Sequence, residues 1–124
     1  MSLLTASSME SRWRGYEYFK SKKVLNLKRL ENMRFQAAVL GSRQEPYEVT
    51  IDLEHVRQSS CTCPYAAGRR VICKHMIAVF FSAFPEEAKK YYSDVQKAEE
   101  DWENYQAELA DKLVKYVHGL KKQE

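Results

Sequence analysis

Apolar and polar residues alternate with a period of two through the middle of the chain. The apolar members of three runs are Leu25 and Leu27, then Met33, Phe35, Ala37 and Val39, then Tyr47, Val49, Ile51 and Leu53. Successive side chains of a strand point to opposite faces, so each run predicts a half-buried strand. Turns are expected at Glu31–Asn32 and from Gly41 to Pro46, and a fourth short strand from Val56 to about Cys61. The pattern predicts an antiparallel sheet of three or four strands.

Helical spacing replaces this alternation before the predicted sheet. Ser7 and Glu10 have the form of a capping box, which indicates a helix from about position 8 to Lys20. The buried side of this helix would carry Trp13, Tyr16 and Phe19.

Helical spacing returns after the sheet. A second helix is predicted from Lys74 to Phe84, and it carries too many apolar residues for one stripe, so we expect it to be buried on more than one side. Pro85 ends it, because the residue before a proline disfavours helical geometry.

The remaining residues predict a long helix with a heptad repeat. Its first apolar position is filled by Ala88, Val95, Trp102, Leu109 and Tyr116, and its second by Tyr91, Ala98 and Tyr105. Such a helix is longer than a small domain is wide. Three arrangements remain open: a break near Tyr92, packing against another chain or a longer parent protein, and folding back on the core.

These elements predict an α+β fold: an N-terminal helix, a small antiparallel sheet, a buried helix and a C-terminal helical extension. We expect a domain over residues 1–84 and an acidic, tyrosine-rich extension over residues 85–124.

All three cysteines and one histidine fall within fifteen positions, as Cys61-Thr62-Cys63, nine residues, and Cys73-Lys74-His75. Three thiols and an imidazole form a complete tetrahedral set for zinc, with no position left for water or substrate. Residues two apart point to the same side only in an extended segment. We therefore expect the first pair on a strand end, Cys73 just before the first turn of a helix, and His75 within that turn. A structural zinc ion would clip the strand to the helix.

Three other uses of these cysteines compete with zinc. A disulfide framework fits poorly, because the number of cysteines is odd and a bridge between Cys61 and Cys63 would be strained. A nucleophilic cysteine paired with His75 would need an orienting group that the sequence does not suggest. Ordinary core cysteines would not be expected in two spaced pairs. Zinc is the interpretation that uses all four residues.

The pattern C-x-C-x9-C-x-H resembles the SWIM zinc finger, in which C-x-C and C-x-H are separated by a variable spacer. The resemblance includes Arg14–Phe19, Val24–Leu27, Gly41–Val49 and Cys61–Tyr65, and it covers roughly positions 12 to 84. It implies that Cys61, Cys63, Cys73 and His75 hold Zn²⁺. SWIM zinc fingers commonly lie inside larger proteins and are described as binding DNA or proteins. The resemblance therefore implies a binding module, and the closed ligand set predicts that it is not an enzyme.

Composition agrees with a globular protein that is not embedded in a membrane. Apolar residues make up 44% and charged residues 30% of the 124 positions, and the N-terminal residues do not resemble a signal peptide. Unpaired thiols persist in a reducing compartment, so we expect a cytoplasmic location.

Charge is unevenly distributed along the chain. Residues 1–80 carry 13 basic and 7 acidic side chains, a net +6, whereas the remainder carries 7 and 10, a net −3. A basic half can face nucleic acid, although cations near three thiolates can also serve to neutralise them. The candidate phosphate-contacting residues are Arg12, Arg14, Lys22, Lys23, Arg69, Arg70 and Lys74.

The leading hypothesis is a non-catalytic zinc module that binds nucleic acid, most simply DNA, through this basic surface. The alternative is a protein-interaction or dimerisation module that uses the heptad residues of the C-terminal helix. Neither hypothesis involves a membrane or a small-molecule substrate.

Overall fold

The computed structural model describes residues 2–123, and the side chains of residues 2–117. Its helices are α1 (Leu3–Ala6), α2 (Met9–Lys20), α3 (Lys74–Ala83) and α4 (Pro85–Gln123), and its strands are β1 (Val24–Leu30), β2 (Arg34–Val39), β3 (Tyr47–Asp52) and β4 (Ser60–Cys61). The strands form one antiparallel sheet in the order β1-β2-β3-β4. The predicted α+β class is confirmed.

The core lies between one face of the sheet and helix α3. Phe35 pairs with Ile51 and Ala37 with Val49, so these four side chains share a face, and all of them are buried. Helix α3 presents Met76, Ile77, Ala78, Val79 and Phe81 to its surroundings as buried residues. The prediction that this helix is buried on more than one side is therefore confirmed, because these consecutive positions cover more than one stripe.

Helix α2 packs closely on α3 through a glycine. An added Cβ at Gly15 would lie 2.5 Å from the Ile77 Cβ and 2.8 Å from the Lys74 carbonyl oxygen. Next to this contact, the Tyr16 ring stands edge-on to Phe81, with centroids 6.0 Å apart. Only a residue without a side chain allows this approach, so Gly15 fixes the distance between the two helices.

The N-terminus differs from the predicted capping box. Ser8, and not Ser7, caps α2, and its Oγ accepts a hydrogen bond from the Ser11 amide at 3.1 Å. The Ser7 hydroxyl instead donates to the Leu4 carbonyl at 2.7 Å and helps to end α1, a one-turn helix too short to be predicted from its pattern. Of the aromatic residues predicted to be buried on α2, Tyr16 is buried and Trp13 is exposed.

Strand β1 does not have the predicted buried face. Leu25 and Leu27 are both exposed, because β1 is an edge strand whose register shifts between Leu25 and Lys28. Asn26 lies in this bulge with φ of 55°. A bulge turns neighbouring side chains out of the alternation that the sequence pattern assumes.

The predicted fourth strand is mostly a turn. Val56–Gln58 forms a 3₁₀ turn, and β4 contains only Ser60–Cys61. The reason lies in Asp52, whose Oδ1 accepts hydrogen bonds from the Glu54 and His55 amides at 2.9 and 2.8 Å. This carboxylate takes up donors that a continuing strand would use and reverses the chain.

Helix α4 is continuous, without a break at Tyr92. Its proline stands at the first helical position, where a missing amide costs nothing, and Phe84, with φ of −130° and ψ of 75°, is the non-helical residue that ends α3. The chain divides into a compact unit Met1–Ala88 and a second unit Lys89–Glu124. Among the described residues, no helix is both long and apolar enough to cross a membrane.

The close contact at Gly15 predicts that replacement by alanine lowers the stability of the protein, which is opposite to the usual effect in a helix. In an ordinary helix Gly→Ala stabilises by ~0.5–1 kcal/mol, but Gly15→Ala must push α2 away from Ile77. We expect a net loss of about 2 kcal/mol in the free energy of unfolding, measured by urea denaturation. The control is Glu17→Ala on the exposed side of α2, which should change stability by less than ~0.5 kcal/mol. A stabilised Gly15→Ala variant would contradict the close packing.

Candidate metal centre

Strand β4 and the start of α3 bring the four predicted ligands to one point. Cys61 pairs with Val49 in the sheet, and the Thr62 amide extends this ladder by donating to the Glu48 carbonyl at 3.1 Å. Cys61 and Cys63 therefore leave the sheet on the same side, as expected for an extended segment. The first ligand pair is held by the backbone of β3.

The second pair lies at the N-terminus of α3. Cys73 is the N-cap residue with extended backbone geometry, and His75 lies in the first turn. This position for the pair is the one that the spacing predicts. The four ligand atoms lie within 4.8 Å of one another, and all four residues are buried.

The distances fit a tetrahedral zinc ion. His75 Nδ1 lies 3.7 Å from Cys61 Sγ and 3.8 Å from Cys73 Sγ. Ligands at zinc bond lengths of about 2.3 Å to sulfur and about 2.0 Å to nitrogen would be about 3.5 Å apart along such an edge. His75 therefore offers Nδ1 to the metal, and the three sulfur atoms complete the set.

The spacer between the two pairs is a compact turn and not a free loop. The Ala66 and Ala67 amides donate to the Cys63 carbonyl at 3.1 and 2.8 Å, and the Arg69 amide donates to Ala66 at 3.0 Å. Gly68 follows with φ of 70°, in the left-handed region that glycine adopts without strain. This turn carries Cys63 back towards α3.

Two tyrosine rings enclose the His75 imidazole. The Tyr47 centroid lies 4.7 Å away, and the Tyr18 ring stands edge-on at 5.3 Å. His75 Nε2 is buried and has no hydrogen-bond partner among the described residues. Aromatic packing, in place of the usual carboxylate or carbonyl acceptor, orients this ligand.

The thiols cannot all ionise without a cation. A hydrogen bond between the Cys61 and Cys73 side chains raises the pKa of Cys61 and lowers the pKa of Cys73 to about 4. Burial raises the pKa of Cys63. Near neutral pH one thiol of the three is ionised, whereas a bound zinc ion requires three thiolates, so metal binding must displace about two protons.

The structure separates the seven candidate basic residues. Lys23 and Lys74 both cover the Tyr18 ring, at 4.9 and 5.2 Å. Lys74 and Arg14 line a cleft with Tyr65 and three of the four zinc ligands, Cys63, Cys73 and His75. The Tyr65 ring is covered by Arg69 at 5.2 Å. We term the set Arg14, Lys23, Arg69 and Lys74 the basic strip.

The other three candidates lie outside this strip. Arg12 uses Nη1 to donate to the Leu4 and Ser7 carbonyls at 2.8 and 3.1 Å, which ties α2 to the end of α1. Arg70 lines a different surface cleft, with His55 and Arg57. Lys22 is exposed, and it ends the turn after α2 with φ of 56°.

Sequence reasoning missed the aromatic surroundings of the metal centre. Tyr18, Tyr47 and Arg43 were not identified as site residues, although Arg43 lies over the Tyr47 ring at 4.2 Å. The only available signal was that all three fall within segments that resemble the SWIM zinc finger.

The geometry defines a closed Cys3His zinc module in which the protein supplies all four ligands. Residues 47–84 match the family model of the SWIM zinc finger, from the first residue of β3 to the residue that ends α3. The first unit therefore contains a SWIM zinc finger with a cluster able to bind a zinc ion. Comparisons with curated proteins and with solved structures found no match.

Removing the metal should unfold the region around β4 and the start of α3. We expect a strong chelator to lower the melting temperature of the zinc-loaded protein by at least ~10 °C, measured by near-ultraviolet circular dichroism. Cys73→Ser should reproduce this loss without chelator, and Ser60→Ala, an exposed neighbour of Cys61, should melt like the original chain. Unchanged melting after complete zinc removal would contradict a structural metal.

Zinc affinity should fall as the pH falls. Cys61 and Cys63, whose pKa values are raised, must lose their protons when the ion binds, whereas Cys73 has already lost its own at neutral pH. Release of about two protons predicts an affinity that weakens by roughly 100-fold per pH unit near pH 7. Competition titrations with a zinc indicator at several pH values measure this slope. A pH-independent affinity would rule out thiol ligation.

Proposed function

We propose that the first unit is a non-catalytic zinc module that binds DNA through phosphate contacts of the basic strip. The observation that carries this proposal is the convergence of cations from three separate segments, α2 and its following turn, the spacer, and the start of α3. Lys23 and Lys74 share the Tyr18 ring, and Lys74 shares a cleft with Arg14. Cations placed side by side in this way suit a phosphate backbone.

The positive charge of the basic strip is larger than the charge needed to neutralise the metal centre. Zinc with three thiolates carries about one net negative charge. Glu10 adds another, because its carboxylate pairs with Arg14 Nε at 3.2 Å. The four cations of the basic strip exceed these two negative charges, and the surplus is available to an anionic partner.

Tyr65 extends the basic strip with an aromatic ring. Its exposed fraction is 50%, and it lies beside Arg69 at the tip of the spacer. An exposed ring among cations provides a stacking surface for a base, although phosphate contacts themselves carry no sequence information. We therefore propose binding without a strong sequence preference.

The closed ligand set supports a non-catalytic role. A catalytic zinc keeps one position for water or substrate, and here four protein atoms would fill the tetrahedron. Three free cysteines in one cluster also belong in a reducing environment, and we propose the cytoplasm.

Neutralising the basic strip should remove most of the binding. We expect the variant with Arg14, Lys23, Arg69 and Lys74 all changed to Gln to bind a labelled DNA duplex at least ~10-fold more weakly at low salt. The slope of log affinity against log salt should become shallower by about 3 to 4, because each phosphate contact releases counterions. Fluorescence anisotropy over a series of salt concentrations measures both quantities.

The matched control removes the same charge elsewhere in the first unit. Lys28, Arg29, Arg34 and Arg57 are exposed and lie on β1, β2 and the 3₁₀ turn. Their joint replacement by Gln should leave the salt slope nearly unchanged. Equal losses in the two variants would show attraction by net charge alone, and a salt-independent affinity of the original chain would reject phosphate binding.

A further inference from the structure

Helix α4 carries a row of apolar side chains within the second unit. We term Val95, Ala98, Trp102, Tyr105 and Leu109 the docking face. The exposed fractions of Trp102, Tyr105 and Leu109 are 58%, 55% and 46%, and the two rings stack with centroids 5.7 Å apart. Spacings of three and four residues place this row on one side of the helix, the arrangement that a coiled coil buries.

Exposed apolar side chains in a row are unfavourable in water, so we expect the docking face to pack against another helix. A helix in water gains most of its stability from packing of its apolar side, and exposed ion pairs such as Lys115–Asp111, at 3.2 Å, add little. Large aromatic side chains in a continuous row are also typical of residues that dominate binding energy at interfaces. Lys112 interrupts the row at the next seam position, and Tyr116 resumes it one turn later.

The residues beside the docking face show what kind of helix fits it. Side chains next to the seam of a coiled coil face those of the partner helix and set partner choice. Here they are Asp94, Glu99, Asp101, Gln106 and Glu108, four carboxylates and one amide, and all are exposed. The complementary helix must carry cations at the corresponding positions.

A second copy of α4 is a poor partner for the same reason. In a parallel pair Asp94 would face Glu99 of the other copy, and in an antiparallel pair Asp101 would face a carboxylate such as Glu108. Like charges at these positions destabilise pairing.

We propose that the docking face binds an amphipathic helix of a partner protein, with aliphatic residues along its seam and lysine or arginine beside it. The apolar seam supplies affinity, and the flanking charges select the partner and exclude self-association. This binding uses residues of the second unit alone and is independent of DNA binding by the basic strip.

Two synthetic helices test the proposal against the full zinc-loaded chain. Both have about four heptads and the same leucine and isoleucine seam, and they differ only in lysine or glutamate beside it. Each is labelled at one end and titrated by fluorescence anisotropy. We expect the lysine-flanked peptide to bind at least ~10-fold more tightly than the glutamate-flanked peptide, with an advantage that shrinks as salt is raised.

Variants of the chain test separately how much the apolar seam and the flanking charges contribute to peptide binding. Leu109→Lys should weaken binding of the lysine-flanked peptide by at least ~10-fold, because it places a cation in the seam. Asp101→Asn with Glu108→Gln should weaken it about 3- to 5-fold. The charge-matched control, Glu100→Gln with Glu103→Gln, changes the outer side of α4 and should have little effect.

Each remaining outcome overturns the proposal. Equal binding of the two peptides would show a face without charge selection, and binding of neither would show that the face takes no such helix. Equal effects of the flank variant and its control would point to net charge alone. Sedimentation that shows self-association abolished by Leu109→Lys would identify a second copy as the occupant.

Discussion

The first unit depends on holding three sulfur atoms and one imidazole nitrogen around a single cation. Cys61 ends a strand of two residues, and Cys73 begins a helix, so little backbone hydrogen bonding joins the two sides of the spacer. Without a metal, the hydrogen bond to Cys73 raises the pKa of Cys61 and burial raises the pKa of Cys63, so these two thiols stay protonated. A divalent ion stabilises the thiolates instead, so metal binding and folding of the spacer occur together.

The sequence was sufficient where neighbours along the chain decide the structure. Strand β3, helix α3 and the position of Cys73 at its start follow from periodicity and from the proline after Phe84. It was not sufficient where a distant or local polar contact overrides the pattern. The bulge at Asn26 exposes an apolar strand, and the Asp52 carboxylate turns a predicted strand into a 3₁₀ turn. Periodicity contains no information about either event.

The metal centre, too, was predictable from the sequence only in part. Its ligands form two local pairs and could be identified from spacing alone, whereas the rings of Tyr18 and Tyr47 reach His75 from separate elements. The basic residues of the site are harder to predict, because the sequence does not distinguish one exposed lysine or arginine from another. Only tertiary contacts show that Arg12 caps a helix end while Lys23 and Lys74 meet over one ring.

The two units carry charge of opposite sign: residues 1–88 hold 13 basic and 9 acidic side chains, a net +4, and residues 89–124 hold 7 and 8, a net −1. Exposed charges act over about one Debye length, ~10 Å at 0.1 M salt. The two proposed ligands use different residues, so they do not compete directly. DNA binding by the basic strip rests mainly on exposed charge, whereas the docking face adds an apolar seam to its flanking charges. High salt would therefore weaken DNA binding before it weakens binding of the helix, because screening acts on exposed charges and not on apolar contact.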